Sequence, residues 1–504
     1  MSGLNPYQQK PSYFENHASS HLSPDFISSY MEREQAAGRY SQPYTPSELE
    51  ALIGPFRTSP IGLTPKPNSS KFRLIQDLSF PRNHPTIQSV NAGISSDDFP
   101  TAWGTFETTA ALILSLPQGC QAATFDISAA YRLTPVRPDQ QNALCLFWDG
   151  KVRVDRAVMF GLTSSAGVFG CVADMLIDIY ITAGFGPLTK WVDDFFVIRL
   201  PECSWTESDF IDLTAAIGIP WSMEKLRPLS HTQRYIGFDW NLVTKTVSVP
   251  PEKASRIQAL LHHWVLETTK VTEHEAASLH GKLVHISCIY PLICPFLRTL
   301  SHFSHKFKSF RALLRPPGPV IADLHWIISM LETLPNELPL MHSDPIDLDW
   351  WGDASTSFGI GVTIRNFWAV WQWAPGVKVG PKQRFDIGWA EAAAVELALL
   401  LAISEGFLSP GHYLVRSDNS GVVAALNNGR SRSQETNVIL KNIFIVLAQQ
   451  RVRLTAIYVP SRSNVVDALS RGDVAAFLKG FPQAHTRSIP TLPGHLSQLI
   501  VPFQ

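Results

Sequence analysis

Trp191-Val192-Asp193-Asp194 sets two carboxylates side by side within Leu188–Ile198, where two apolar runs read as the arms of a β-hairpin. Adjacent acids repel, and a hairpin tip that carries both is best explained by a cation between them, although paired acids at a turn are commonly just solvated. Upstream, Ala123-Thr124-Phe125-Asp126-Ile127 is an apolar run ending in an acid. A strand-end acid and a downstream Asp-Asp tip would gather three carboxylates around two magnesium ions, the minimum set for joining a nucleotide to a primer. Four further acids, Asp353, Glu391, Asp418 and Asp467, fall at strand or helix ends in the last third of the chain. Taken singly, each is more commonly a cap or a surface charge.

The elements that must position these acids follow from periodicity. Residues 1–50 are polar, with no sustained period, and read as a loose extension. From 51 to 250, short β-like runs broken by Pro and Gly alternate with helical stretches such as Thr109–Leu116 and Ser165–Tyr180. From 251 to 345 the pattern is helical, with Glu252–Trp264 and Thr272–Ile286 as the clearest cases. From 346 to 475 the strands Leu348–Ala354, Phe358–Ile364 and Ala369–Trp373 come first. The helix Ala390–Ser404, the strands His412–Ser417 and Leu454–Val459 and the short helix Val465–Ser470 follow. That order predicts a compact mixed α/β domain. Residues 476–504 are Pro-rich and read as a loose tail.

At 504 residues, with 45% hydrophobic and 17% charged side chains, the chain has room for about three globular domains. Its polar start, MSGLNPYQQK, lacks the basic and apolar regions of a secretory signal. Apolar stretches such as Leu397–Ile403 and Ile443–Ala448 are too short to span a bilayer, so no membrane partner is expected. Six scattered cysteines without a C-x-x-C pair fit reduced thiols inside a cell, in cytoplasm or nucleus. A net charge of −1 argues mildly against nucleic-acid binding, but its distribution softens the objection. From Ala276 to Ala322 there is no acid, while Lys282, Arg298, Lys306, Lys308, Arg311 and Arg315 are interleaved with Phe303, Phe307 and Phe310. Such a segment suits either a backbone-tracking surface or a solvated helical face with core phenylalanines. His280, His285, Cys288 and Cys294 loosely suggest zinc, but their apolar, helical setting favours core packing.

Motifs between about 55 and 240 resemble those of reverse transcriptases, in order. Lys71-Phe72-Arg73-Leu74-Ile75-Gln76-Asp77 resembles the fingers segment, Phe125 through Tyr131 the first catalytic motif, and Phe160 through Ala166 the template-side turn and helix. Trp191–Asp194 matches the aromatic-x-Asp-Asp box with Trp for the usual Tyr, Gly218 through Lys225 the following lysine motif, and Tyr235-Ile236-Gly237-Phe238 the primer grip. The resemblance implies catalytic, metal-holding roles for Asp126, Asp193 and Asp194, with Asp194 acting mainly through its field. It implies a triphosphate clamp from Lys71 and Arg73, proton donation to pyrophosphate from Lys225, and a steric gate against a ribose 2′-hydroxyl at Tyr131. For Lys225 a surface lysine is the plain alternative, and for Tyr131 a core tyrosine. Ala129 stands where many retroviral relatives carry a second acid.

The C-terminal pattern resembles ribonuclease H, whose Asp-Glu-Asp-Asp set holds two magnesium ions and is matched by Asp353, Glu391, Asp418 and Asp467. The family helix carries Ala at +3 and Ala-Leu at +7 and +8 after its Glu. Glu391 has Ala394, Ala398 and Leu399 there, and Glu396 has none. The loop before Asp467, Pro460-Ser461-Arg462-Ser463, lacks the His that many relatives carry.

Together the resemblances imply an α+β multidomain protein. A right-hand polymerase, with fingers, an antiparallel palm sheet and a helical thumb or connection, precedes an RNase H-like α/β domain. The implied function is RNA-directed DNA polymerase with ribonuclease H activity, using magnesium or in its place manganese. RNA template, DNA primer, RNA–DNA hybrid and deoxynucleoside triphosphates are the implied partners. Lys71 through Ile75, Asp77 through Pro81, Ser89-Val90-Asn91, Ala130-Tyr131-Arg132, Leu279–Leu283 and Asp467 through Arg471 look most like tyrosine-recombinase (DIRS-like) retrotransposons, whose recombinase or integrase would then be encoded elsewhere. The competing reading is a non-catalytic relic that only binds nucleic acid or a protein. All seven carboxylates are in place, which favours activity, and activity at only one of the sites is a third reading.

Overall fold

The computed structural model describes residues 13–65, 72–82, 84, 86–309, 311–340 and 344–503. It divides into two units, Met1–Ile236 with Trp240–Thr244, and Gly237–Asp239 with Lys245–Gln504.

In the first unit, Gln121–Asp126 is buried along nearly its whole length and forms the inner strand of a four-stranded antiparallel sheet. Asp194–Arg199 flanks it on one side and Arg227–Ser230 on the other, and Leu188–Trp191 closes the edge. A strand covered on both faces reads as a continuous apolar run rather than an alternating one, which is why the segment before Asp126 is so uniformly hydrophobic. Helix Ser165–Thr182 buries Phe169, Ala173, Leu176 and Tyr180, spaced four, three and four apart, against this sheet. Gly167 and Gly170 let Phe99 and Thr101 approach the helix so closely that a β-carbon at either position would collide.

The N-terminal extension is not loose over its described part. Helix Pro24–Ala36 buries Ile27 and Met31 completely, in a cluster with Tyr40, Ile61, Leu63 and Leu146. Its sequence looks polar because only Ile27 and Met31 are fully buried, with Phe26 and Tyr30 packed on the cluster while partly exposed, and its buried Glu34 is held by arginines.

The second unit begins with the helices Pro251–Leu266, Glu273–Ile286, Leu297–Ser304 and Gly318–Thr333. Thr272 and Glu275 form a reciprocal capping box that fixes the start of the second. In the basic stretch, Phe303 is buried and Lys306, Lys308, Arg311 and Arg315 are exposed, while Phe310 lies outside the described residues. Arg298 is committed within the fold, donating to the carbonyls of Ser431 and Arg432.

A seven-stranded sheet follows, in the order Val452–Tyr458, Gly411–Ser417, Ile346–Ala354, Gly359–Ile364, Phe367–Trp373, with Thr486–Arg487 and Ile500–Pro502 both paired to the last. The first three strands are mutually parallel and the next two antiparallel. Helix Ile387–Ser404 lies on the sheet with Ala390, Ala393, Ala394, Leu397, Ala398 and Leu401 fully buried. Alanine on this face brings the helix axis close: Ala394 sits against Gly352.

The tail is ordered. Phe477, Ala484, Leu496 and Ile500 are buried, and the two short edge strands cap Phe367–Trp373. Strands of two and three residues carry no readable period, so the Pro-rich composition misleads there. Contrary to the sequence expectation, helices Ser165–Thr182 and Ile387–Ser404 reach the length and apolarity of a membrane span. The second has this composition because it is a core helix, wrapped by protein on nearly every side.

Candidate active sites

The inner strand of the first sheet ends at Asp126, which pairs in register with Asp194, while Trp191 pairs with Asp194 across the hairpin. The turn is Val192-Asp193, and Val192 takes φ +54°, a left-handed conformation that a β-branched residue adopts only when its surroundings impose it. Here the flanking strands impose it, helped by the Ile127 N–H, which donates to Asp193 O at 3.0 Å. One carboxylate oxygen each from Asp126, Asp193 and Asp194 lies within 4.8 Å of the others. The Ser222 N–H donates to Asp126 O at 2.7 Å and hangs the next turn on the strand end, so that Lys225 Nζ reaches Asp126 Oδ2 at 2.7 Å.

Burial raises the Asp193 carboxyl above its usual range, and the charge of Asp126 adds to it. Burial, the charge of Asp193 and the neighbouring Asp126 push Asp194 up to about 7. Desolvation acts to lower Lys225, but the hydrogen bond and charge of Asp126 outweigh it and hold the ammonium above its usual value. Three clustered acids with one lysine carry a surplus of negative charge, which is the electrostatic signature of a cation site.

The second cluster sits at the carboxyl ends of adjacent parallel strands, where ligands bind in open α/β sheets. Asp353 is the penultimate residue of Ile346–Ala354, and Asp418 follows Gly411–Ser417 directly. Asp386 caps the helix Ile387–Ser404 and starts it so that Glu391, in its second turn, faces both. Carboxylate oxygens of Asp353, Glu391 and Asp418 lie within 4.8 Å of one another. Asp467 lines the same cavity of about 390 Å³ but turns to Arg471, which grips it at 2.9 and 3.0 Å. Burial, with the charges of Asp353 and Asp418, pushes Glu391 up to about 9. Burial first, and the charge of Asp418 next among the raising influences, puts Asp353 at about 6. Glu396 is elsewhere: it is buried and bonded to His495 at 2.9 Å.

Both clusters fit a divalent metal ion. Buried Asp126 Oδ1 and Glu391 Oε2 find no donor among the described residues, and each set offers only hard oxygen ligands.

Of the other expected site residues, Tyr131 is half-buried near the first cluster, its phenol raised by burial and then by the charge of Asp193. Its ring packs on Phe160 at 4.7 Å and edge-on to Phe169 at 5.9 Å. Arg73 is exposed on strand Phe72–Gln76, paired in register with Thr64 and not brought to the acids by any described contact. Lys71 lies outside the described residues. The quartet His280, His285, Cys288 and Cys294 is not a buried core group: Cys288 is exposed, and His285 stacks on Phe238 and meets Lys253 Nζ at 3.1 Å.

Three residues that sequence reasoning left without a role support the sites. Asn464 donates to Asp353 Oδ1 at 2.7 Å. Its place three residues before Asp467 was the available signal. Lys190, buried beneath the hairpin, donates to Gly170 O at 3.0 Å, pairs with Asp174 and lies over the Trp103 ring. A lysine inside an apolar strand is that kind of signal too. Arg132, next to Tyr131, donates to Glu34 and Asp155.

No protein-family model and no curated protein matches the chain. Among solved structures, the chain is similar to a foamy viral protease-reverse transcriptase in complex with an RNA/DNA hybrid. The TM-score is 0.50 at 16% identity, over 92% of this chain and 57% of that one. Another structure of such a protein, in complex with double-stranded DNA, aligns at TM-score 0.47 and 15% identity over 90% of this chain and 72% of that one. The chain thus spans a little over half the length of the first of these. It has a mixed α/β, multidomain, reverse transcriptase-like fold.

Proposed function

We propose that this protein is an RNA-directed DNA polymerase joined to a ribonuclease H. It copies RNA into DNA and degrades the RNA strand of the hybrid. Residues 51–250 form fingers and palm, 251–345 thumb and connection, and 346–475 the RNase H-like domain. The likeness of its motifs to those of DIRS-like retroelements supports a retroelement of that kind as the source of the activity. The carrying observation is that two separate sets of acids, far apart in sequence, each converge to within 4.8 Å at the end of a sheet.

In the first site Asp126 and Asp193 are the direct ligands, and Asp194 contributes its field. Magnesium, or manganese in its place, bound at these sites would lower the pKa of the attacking hydroxyl or water and neutralise charge on the leaving group. Lys225, kept protonated by Asp126, is placed to hand its proton to pyrophosphate. Arg73 and Lys71 clamp the triphosphate, Arg as a fork and Lys as a point charge. Tyr131 presents its ring edge where a ribose 2′-hydroxyl would sit. In the second site Asp353, Glu391 and Asp418 form the cage, and Asp467 joins it by leaving Arg471.

Primer extension on an RNA template, with deoxynucleotides and magnesium, is the direct test. The wild-type chain extends the primer, and Asp193→Asn does not. Absence of both extension and hybrid cleavage in the wild type, across salt and metal conditions, would transfer the argument to the non-catalytic relic.

A further inference from the structure

Arg132 is almost fully buried beside the residue assigned as the sugar gate, and its guanidinium is shared among four partners. Nη1 donates to Asp155 Oδ2 at 2.8 Å, to Ala157 O at 3.1 Å and to Val158 O at 3.4 Å. Nε and Nη2 donate to Glu34 Oε2 at 3.2 and 3.0 Å. Glu34 comes from helix Pro24–Ala36 and is gripped from its other side by Arg39 at 2.7 Å through both oxygens. The Tyr40 ring lies under the Arg132 guanidinium at 5.6 Å.

The wiring matters because of what it connects. Arg132 belongs to the short turn Ala130–Leu133, entered through Ala129 at φ +53° and closed by the Arg132 N–H donating to Ala129 O at 2.8 Å. That turn carries Tyr131. The carbonyls that Arg132 holds, Ala157 and Val158, lead directly into Met159 and Phe160, and Phe160 is the ring on which Tyr131 rests. A single guanidinium therefore ties both halves of the Tyr131–Phe160 wall, and an N-terminal helix holds the guanidinium.

Charge balance makes the arrangement all-or-nothing. Buried Arg132 and half-buried Arg39 face the buried carboxylates of Glu34 and Asp155, so removing the charge of Glu34 leaves Arg132 short of a partner. Burial acts to raise Glu34, but the hydrogen bond from Arg39 and the charge of Arg132 hold it below its usual range. Burial pushes Asp155 up to about 6 against the pull of Arg132.

We infer that Glu34 and Arg132 are positioning residues for nucleotide selection. Through them the N-terminal extension sets the stance of the Tyr131–Phe160 pair and hence the preference for deoxynucleotides. The inference rests on the reading of the first site as a polymerase and of Tyr131 as its gate.

The experiment measures single-nucleotide incorporation, deoxy against ribo, with KM and kcat separated, for wild type, Tyr131→Ala, Glu34→Gln and Arg132→Lys, each also melted thermally. Gln keeps the shape of Glu34 without its charge, and Lys cannot reproduce the fork of Arg132. A displaced wall raises KM for the deoxynucleotide and lowers the deoxy-over-ribo preference by about tenfold in Glu34→Gln, with a smaller change in kcat. Arg132→Lys shifts the preference further in the same direction. If melting temperatures fall while the preference stays at the wild-type value, the network is structural only and the inference is overturned, with the polymerase reading intact. A Tyr131→Ala chain that still extends primers with wild-type selectivity overturns it as well, because no gate is there to position. Lack of extension by the wild type would remove the polymerase reading and the inference together. Should Arg132→Lys fail to fold, Glu34→Gln alone decides.

Discussion

The two acidic clusters solve the same electrostatic problem by different means. In the first, at a hairpin tip, a lysine is already present: Lys225 sits on Asp126 at 2.7 Å. In the second, Asp353 and Glu391 are both buried, and the cation of the cavity, Arg471, is bonded to Asp467 at the rim. Without a metal, the first cluster is relieved partly by a fixed ammonium, and the second must be relieved by protons. Asp194 reaches about 7 in the first cluster, and Glu391 about 9 and Asp353 about 6 in the second, burial being the first cause in each. A site with its own counter-ion is organised before metal arrives, and a site without one is organised by the metal.

The contrast requires that the two clusters act independently. Asp193→Asn should lower primer extension by at least about a thousandfold and leave cleavage of a preformed RNA–DNA hybrid within about threefold of wild type. Asp418→Asn should do the reverse. Loss of both activities in either variant would mean one shared centre, and the separation argued from the two sheets would be wrong.

A smaller effect belongs to the lysine that distinguishes the clusters. Lys225→Met should lower kcat for extension by about a hundredfold, with hybrid cleavage unchanged. The high-pH limb of the extension profile should disappear as well, because the proton donor is gone. If Lys225 is only a surface partner of Asp126, kcat keeps its value and the limb stays.

The same comparison explains what was legible in the sequence. Asp126, Asp353 and Asp418 could be placed because each lies at or next to the end of a strand that the sequence pattern marks, and a strand end fixes where a side chain goes. Glu391 was separable from Glu396 by its small-residue neighbours, and those alanines are what let the helix lie flat enough for Glu391 to face Asp353. The N-terminal helix was missed because it is held by Ile27, Met31 and a network of buried charges, and ion pairing across a hundred residues leaves no local pattern. Arg132 was visible only as a neighbour of Tyr131. The tail was missed because its order comes from pairing with Phe367–Trp373, a long-range contact that short, Pro-rich strands do not announce. Asp467 was read as one of four equal ligands, yet its partner in the structure is Arg471, one helical turn along.

The subtlest consequence concerns stability rather than rate. Glu391 stands at about 9 in the folded chain against an ordinary value of 4.5, so between those values the folded state holds a proton that the unfolded state has released. Its stabilising share is therefore complete below the ordinary value and is lost as pH rises through the folded one. Asp353 adds a loss that runs through about pH 6, and Asp194 one that runs through about pH 7. Above these values, a further contribution to the decline in melting temperature of the chelated protein comes from Glu391. Glu391→Gln removes it: with a chelator at pH 8 the variant should melt a few degrees above wild type, although its hybrid cleavage is abolished. Adding magnesium should stabilise wild type more than the variant, because the carboxylate that would exchange its proton for the ion is gone. A melting temperature that falls in Glu391→Gln under chelation would mean that the carboxylate supports the fold. The contrast between a site with its own counter-ion and a site that waits for one would then collapse.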